Sequence, residues 1–266
     1  MLQIGGLRHS VTEILIDAGG SPWKSAIFAL ARFLLIKRKP QRGIIVTKTC
    51  LLILAGLALA GCIQINVADR RDSRENRPLT AFDKLQASRG VEVSLRCGPV
   101  PSAHLTGDEE DLANTEISVE DGVLTVRRAS MMGGYAHTVH VEVTAPGPLV
   151  RLAAGSGAGI EAPACVISSD RLDLDASSGA TIHLAAEVRR LTAETGSGAT
   201  IRPLKGTRID VSDAEIDAGS GSTVRLCRVG KLQASASSGA TISAESIGAG
   251  DSHSRFGGSI SLETCG

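Results

Sequence analysis

A Ser-Gly pair recurs through the second half of the chain, at Ser156-Gly157, Ser178-Gly179, Ser197-Gly198, Ser220-Gly221 and Ser238-Gly239. The glycines are separated by 22, 19, 23 and 18 residues. With each Gly at position 0, position +3 is Ile160, Ile182, Ile201, Val224 and Ile242, and position −3 is Ala154, Ala176, Thr195, Ala218 and Ala236. Positions −7 and −5 are Leu172/Leu174, Leu191/Ala193 and Leu232/Ala234 in three copies. All these offsets are odd, so an extended chain carries them on one face. By the same parity the Ser of each pair, and the Ala after it (Ser222 in one copy), point inward. Ser156, Ser178, Ser197, Ser220 and Ser238 are then expected to stack as an inward ladder. A weaker sixth copy runs through Gly257, with Ile260 at +3 and Leu262 at +5.

A unit of about 20 residues with two short strands cannot bury its apolar face alone. Stacking copies at the roughly 4.8 Å strand spacing of a parallel sheet solves this. The expected fold is all-β: a parallel β-helix-like solenoid of about 20-residue repeats from about residue 149, after an N-terminal β region. Composition agrees, because 30 glycines and only 2% aromatic residues suit tight turns and a core of stacked aliphatics. Length varies mainly between position +6 and the next −7, so loops should emerge there. In the N-terminal region, Val91–Leu95, Ile117–Val119, Val123–Val126 and Val139–Val143 alternate with period two and read as strands. Asp121-Gly122 suits a hairpin turn. Gly107–Leu112 lacks the spacing of a calcium loop and reads as a solvated loop or short helix.

The residues before this fold belong to another kind of segment. Thr49–Gly61 is an apolar run preceded by Lys48 and, farther back, by Lys37, Arg38, Lys39 and Arg42. This is the layout of a secretory signal, and the run is too short to span a bilayer comfortably. It ends in Leu59-Ala60-Gly61-Cys62, which resembles a lipobox, so Cys62 is the expected lipidation site. Residues 46–61 are then a lipoprotein signal peptide and residues 62–78 a charged, lipidated tether. Residues 1–45 are either misread upstream sequence, with Val46 the first residue, or a long leader. Residues 79–266 form the solenoid domain. The expected location is the bacterial cell envelope, membrane-attached through the lipid anchor; Ile63 after the cysteine points to the outer membrane.

Of the 28 basic and 28 acidic residues, eight and two precede Cys62, leaving 20 and 26 and a net charge of about −6. With few aromatics, such a chain has neither the basic footprint nor the stacking platforms for nucleic acid. Catalytic motifs fail on spacing. Ala154 stands where a nucleophile elbow around Ser156 needs Gly, and no Gly-Lys-Ser/Thr ending makes a phosphate loop. His137 and His140 fall on opposite strand faces. No catalytic residue, metal site or cofactor is expected.

Two outward columns stand out. Position −4 carries Asp175, Glu194 and Asp217; position +4 carries His183, Arg202 and Arg225. The simpler reading is a solvated, self-compensating face that discourages edge association. The functional reading is a charged strip for cations or for a polyanionic or sugar partner. Four cysteines follow Cys62: Cys97, Cys165, Cys227 and Cys265. Cys165 and Cys227 are three repeats apart, about 14 Å by stacking, too far for a bridge. Cys97 with Cys165 is the expected pair.

The segments FDKLQASRGVEVSL, GDEEDLANTEISVEDGVLTV and VHVEVTAPGPLVRLAAGSGAGIEA resemble successive parts of the auto-transporter adhesin head GIN domain family, over about Leu79 to Gly266. In three repeats this chain has Ala-Thr-Ile after the pair, where the family has an acidic residue. The resemblance implies a β-helical fold and a surface location, and brings no catalytic residues. The expected function is a non-catalytic binding, adhesion or scaffolding module that engages an unknown macromolecule, a surface protein or glycan. The alternatives are a β-helix enzyme acting on polysaccharide and an envelope sensor or assembly partner. The enzyme is disfavoured because Phe82, Tyr135 and Phe256 are the only aromatics after Cys62.

Overall fold

A computed structural model of the chain describes residues 72–129 and 138–265. Cys62, the signal peptide, the leader, residues 62–71 of the tether, Tyr135 and His137 lie outside the described residues. The N-terminal part comprises β1 (Asp72–Pro78), β2 (Lys84–Ser88), β3 (Val91–Cys97), β4 (Ser102–Asp108), helix α1 (Glu109–Ala113), β5 (Thr115–Glu120), β6 (Val123–Arg128) and β7 (Val139–Ala145). Then follow β8 (Arg151–Gly155), β9 (Gly159–Ala162), β10 (Arg171–Ala176), β11 (Thr181–Leu184), β12 (Ala186–Thr195) and β13 (Thr200–Pro203). The last are β14 (Ile209–Ala218), β15 (Thr223–Ala236), β16 (Thr241–Ser254) and β17 (Ser259–Leu262).

These strands wind as a β-solenoid of about five turns, about 22 residues each. Its register is that of the repeat. Ile160, Ile182 and Ile201 are parallel partners in adjacent coils, continued by Val224, Ile242 and Ile260. On the strands before the corner, Leu152, Leu174, Ala193, Ile216 and Ala234 stack in the same way. Ile182 and Ile201 are fully buried, each contributing up to about 1.5–3 kcal/mol by leaving water.

The solenoid extends farther toward the N-terminus than residue 149. β2 and β3 pair in parallel with β8 and β9, and on their other side with β6 and β7. The aliphatic column thus continues from Ile160 to Val93 and Val141. The spatial order of coils is therefore not the chain order: β2–β3 comes first in the chain and is flanked on both sides by later strands. The outer side of this end is closed by antiparallel pairing, β5 on β6, β4 on β7 and β1 on β4. Asp72–Pro78, expected to be tether, is thus strand β1. Its charged sequence hid it, because most of its described side chains are exposed and no apolar alternation marks it. Glu109–Ala113 is a short helix whose N-cap Asp108 accepts from the Glu110 N–H at 3.0 Å. Asp111 behind it is buried in an ion pair with Arg128.

The Ser-Gly corners depart from expectation. Ser156, Ser178, Ser197, Ser220 and Ser238 have φ of 51–53°, and the following glycines 71–76°. In each corner the N–H after Gly donates to the carbonyl three residues back, for instance Ala180 to Ser177 at 3.1 Å. Two consecutive positive φ values define a tight turn in which strand parity does not hold. The serines are therefore exposed and form no inward ladder, whereas the residue after Gly is buried. Successive corners are joined through backbone: Gly179 N–H donates to Ser197 O, and Gly198 N–H to Ser220 O, both at 2.9 Å. Arg89-Gly90 and Phe256-Gly257 make the same turn without the Ser-Gly signature.

Two departures from the small inward consensus answer each other. Thr195, at −3 where other copies carry Ala, and Ser222, at +1 where others carry Ala, share a buried hydroxyl hydrogen bond of 2.9 Å across adjacent coils. Two disulfides complete the frame. Cys97–Cys165 joins β3 to the turn at Ala164–Val166, with Cα atoms 6.1 Å apart. Cys227–Cys265, which the repeat spacing did not suggest, ties the segment after β17 to β15 with Cα atoms 5.1 Å apart.

Candidate functional site

Beyond the corner, β11, β13 and the start of β15 each present two outward positions, +2 and +4. At +4 the structure brings His183 and Arg202 side by side as parallel partners, with Arg225 next in the column and Glu161 on the other side. The insertion that makes one interval 23 residues long emerges directly after Arg202. It turns at Gly206 (φ 73°), held by Thr207 N–H and Oγ1 donating to Leu204 O. Pro203, Leu204, Lys205 and Thr207 thereby wall one side of a groove of about 630 Å³ whose other lining is Glu161, His183, Arg202 and Arg225.

The cations of this groove are only partly compensated. Most arginines are held by carboxylates: Arg96 by Glu142, Arg127 by Glu116, Arg171 by Asp173, Arg228 by Asp210. Arg202 is held differently, its Nε donating to His183 Nε2 at 2.8 Å. His183 must be neutral to accept. Burial lowers its pKa from 6.5, the adjacent Arg202 lowers it further, and Glu161, whose Oε1 is 4.0 Å from Nδ1, opposes both. The guanidinium ends of Arg202 stay directed to the groove without a carboxylate partner among the described residues. Arg225 pairs with Glu263 at 2.8 Å, and Lys205 is exposed beside them.

The acidic column is equally regular, Asp175, Glu194 and Asp217 being parallel partners in succession. It lies on the strands before the corner and does not join the basic groove. Arg151 approaches Asp175 at 3.4 Å there, whereas no ion pair is formed by Glu194 or Asp217 among the described residues. A further column escaped the charge-based reading. Thr181, Thr200, Thr223, Thr241 and Ser259 occupy +2 in five successive coils as parallel partners. The threonines are half-exposed, and Ser259 Oγ donates to Thr241 Oγ1 at 3.3 Å. The +2 offset is legible in the sequence, but neutral hydroxyls at outward positions carry no charge to mark them. The row ends at Gly159, over which the Glu92 carboxylate folds. Burial raises the Glu92 pKa, against the pull of His140 and with the help of Glu161. Among the described residues no three His, Cys, Asp or Glu side chains converge to hold a metal ion. Nor is any helix among them long and apolar enough to cross a membrane.

Comparison with known proteins adds the following. A family model described as "Putative auto-transporter adhesin, head GIN domain" matches residues 81–263. A crystal structure of a "putative adhesin" from Bacteroides fragilis NCTC 9343 is 11% identical, with a TM-score of 0.56 over 73% of this chain and 97% of that one. A second, from Parabacteroides merdae ATCC 43184, is 15% identical over 73% and 96%, with a TM-score of 0.46. At such identities the first likeness speaks for the fold alone. No curated protein matches the chain.

Proposed function

The chain belongs to the auto-transporter adhesin head GIN domain family, and from that premise we propose that it is a non-catalytic binding module of the bacterial cell envelope. Its contact surface is the groove around Arg202. The single observation that carries this is the set of Arg202, Lys205 and Arg225 on one concave surface, with Arg202 free of any carboxylate partner among the described residues, in a chain whose part after Cys62 carries an excess of acid. Like charges are not gathered on adjacent strands without cost, so a recessed cluster of this kind suits an anionic partner.

In this reading Cys62 carries the lipid anchor that holds the domain at the outer membrane. β1 lies at the closed end of the solenoid, paired with β4. The groove lies several coils from that end. The test is capture of the protein by intact cells and by envelope fractions. Arg202→Gln with Lys205→Gln and Arg225→Gln should abolish capture, and capture by the unaltered protein should weaken steeply with salt, since exposed charges are screened over roughly 8–10 Å. Turnover of a polysaccharide that is lost on changing one carboxylate would replace this reading with the enzyme. Mass spectrometry of the native protein showing Cys62 unmodified would remove the anchor.

A further inference from the structure

We infer that the groove and the neighbouring hydroxyl column form one site for a linear acidic polysaccharide, laid along the solenoid axis with its carboxylates on the Arg202–Arg225 row and its ring hydroxyls on the threonine row. This rests on the binding-module reading above and adds the chemistry of the ligand.

The shape of the site comes from the register. Positions +2 and +4 lie two residues apart on an extended strand, roughly 7 Å, and each coil advances the rows by roughly 4.8 Å. Hydroxyls at Thr181, Thr200, Thr223, Thr241 and Ser259 thus run about 20 Å, the first three beside His183, Arg202 and Arg225 and the last two beside Ser243 and Ser261. Two parallel rows crossing the strands suit an extended polymer better than a compact solute. A repeating polymer can also repeat its contacts coil by coil.

The two rows differ in what they can read. A threonine hydroxyl donates one hydrogen bond and accepts others, which matches a sugar hydroxyl in either role. A guanidinium offers a planar fork of donors that fits a carboxylate in two-point contact. His183, by accepting from Arg202 Nε, fixes the guanidinium plane and leaves its terminal nitrogens free; it is a positioning residue. Acidic side chains bound the cationic stretch on both sides, Glu161 and Glu92 at β9 and β3, and Glu263 after β17. The carboxylates of an anionic chain are therefore directed to the coils of β11, β13 and β15. A nucleic acid would need aromatic platforms, which the two rows lack; a lipid surface would need well-exposed apolar side chains beside the cations, and Pro203 and Leu204 of the groove wall are half-buried.

The experiment measures binding of the full chain, with its disulfides intact, to oligogalacturonate, alginate and hyaluronan. Methyl-esterified oligogalacturonan and inorganic polyphosphate are the comparison probes. At least one carboxylated glycan should bind, and its methyl ester, where the uronate is masked, should bind far more weakly. Arg202→Gln with Arg225→Gln should lower affinity by about tenfold or more. Thr200→Val with Thr223→Val, which keeps shape and strand preference, should lower it several-fold, while Thr200→Ser with Thr223→Ser restores it. The Val variant should leave polyphosphate binding unchanged. Failure of all three glycans to bind overturns the inference, as does polyphosphate binding as tightly as the best glycan while the Val pair leaves glycan affinity unchanged. Either result leaves the binding module standing if cell capture still depends on Arg202 and Arg225. Loss of that dependence refutes the module itself.

Discussion

Thr195 and Ser222 offer a quantitative test of how the coils are matched. Their hydroxyls are buried and bond only to each other in the described structure, at 2.9 Å. Ser222→Ala strands the Thr195 hydroxyl, and an unpaired buried hydroxyl costs about 1–3 kcal/mol. Thr195→Ala strands Ser222, the more deeply buried of the two, and also removes a methyl group worth about 0.8 kcal/mol; it should lower stability by about 2–3 kcal/mol. Changing both residues to Ala restores the pair of small residues found in the other coils, so only the methyl term persists. The double variant should therefore lie within about 1 kcal/mol of the unaltered protein and above either single variant, the two single losses together exceeding the double loss by about 2 kcal/mol or more. Urea unfolding followed by circular dichroism measures it. Comparison of midpoints is preferable to extrapolated free energies, because stacked repeats need not unfold in one step. Additive losses, with the double variant the least stable, would refute the account of these residues as a compensating pair.

Other consequences are as specific. Ile201→Asp places a carboxylate in the fully buried column between Ile182 and Val224, and should prevent folding; a soluble variant with an unchanged thermal midpoint would contradict the register. The His183 imidazole should titrate below 6.5 by NMR, and Arg202→Gln should move that midpoint upward. The unfolded chain takes up the proton first, so this group lowers stability as pH falls through 6.5 and ceases to change it below the folded-state value. Each disulfide is worth about 4 kcal/mol by chain entropy at separations of 68 and 38 residues. Their loss should differ in place. Cys265→Ser should speed amide exchange in β17 and leave β10–β14 protected, and uniform acceleration would contradict coil-by-coil fraying.

Much of the core could be read from the sequence because a solenoid converts local periodicity directly into contact. Once −7, −5, −3 and +3 share a face, stacking makes each a column, and Ile182 over Ile201 follows with no knowledge of long-range topology. The rule failed at the serines because it holds only for extended backbone: two left-handed residues at each corner leave both Ser and Gly exposed, and the residue after Gly resumes the inward series. It also failed to order the coils. Strands β2, β3, β6 and β7 have the alternation of any half-buried strand, and nothing local in Arg89-Gly90 says that this corner stacks on Ser156-Gly157. Pairing across more than sixty residues is decided by which exposed edge each coil finds, and that is not written in its own period.

The site was legible in a narrower sense. Position +4 gave His183, Arg202 and Arg225 as one column, but spacing could not separate a compensated charge from a free one. That separation depends on partners brought in by other coils: Glu263 reaches Arg225 only because the degenerate last copy still stacks, and Lys205 joins the groove because one interval is longer than its neighbours. In a repetitive protein the repeat specifies the scaffold, and the exceptions to it carry the information about binding. Thr195 with Ser222 is such an exception resolved inside the core. The Pro203–Thr207 insertion is one on the surface, and it alone turns a flat column of cations into a groove. Deleting Leu204–Thr207 to match the shorter intervals should accordingly spare the fold and weaken anion binding with Arg202 and Arg225 both in place. If such a deletion left affinity for the carboxylated glycan unchanged, the flat column would be sufficient and the concavity incidental.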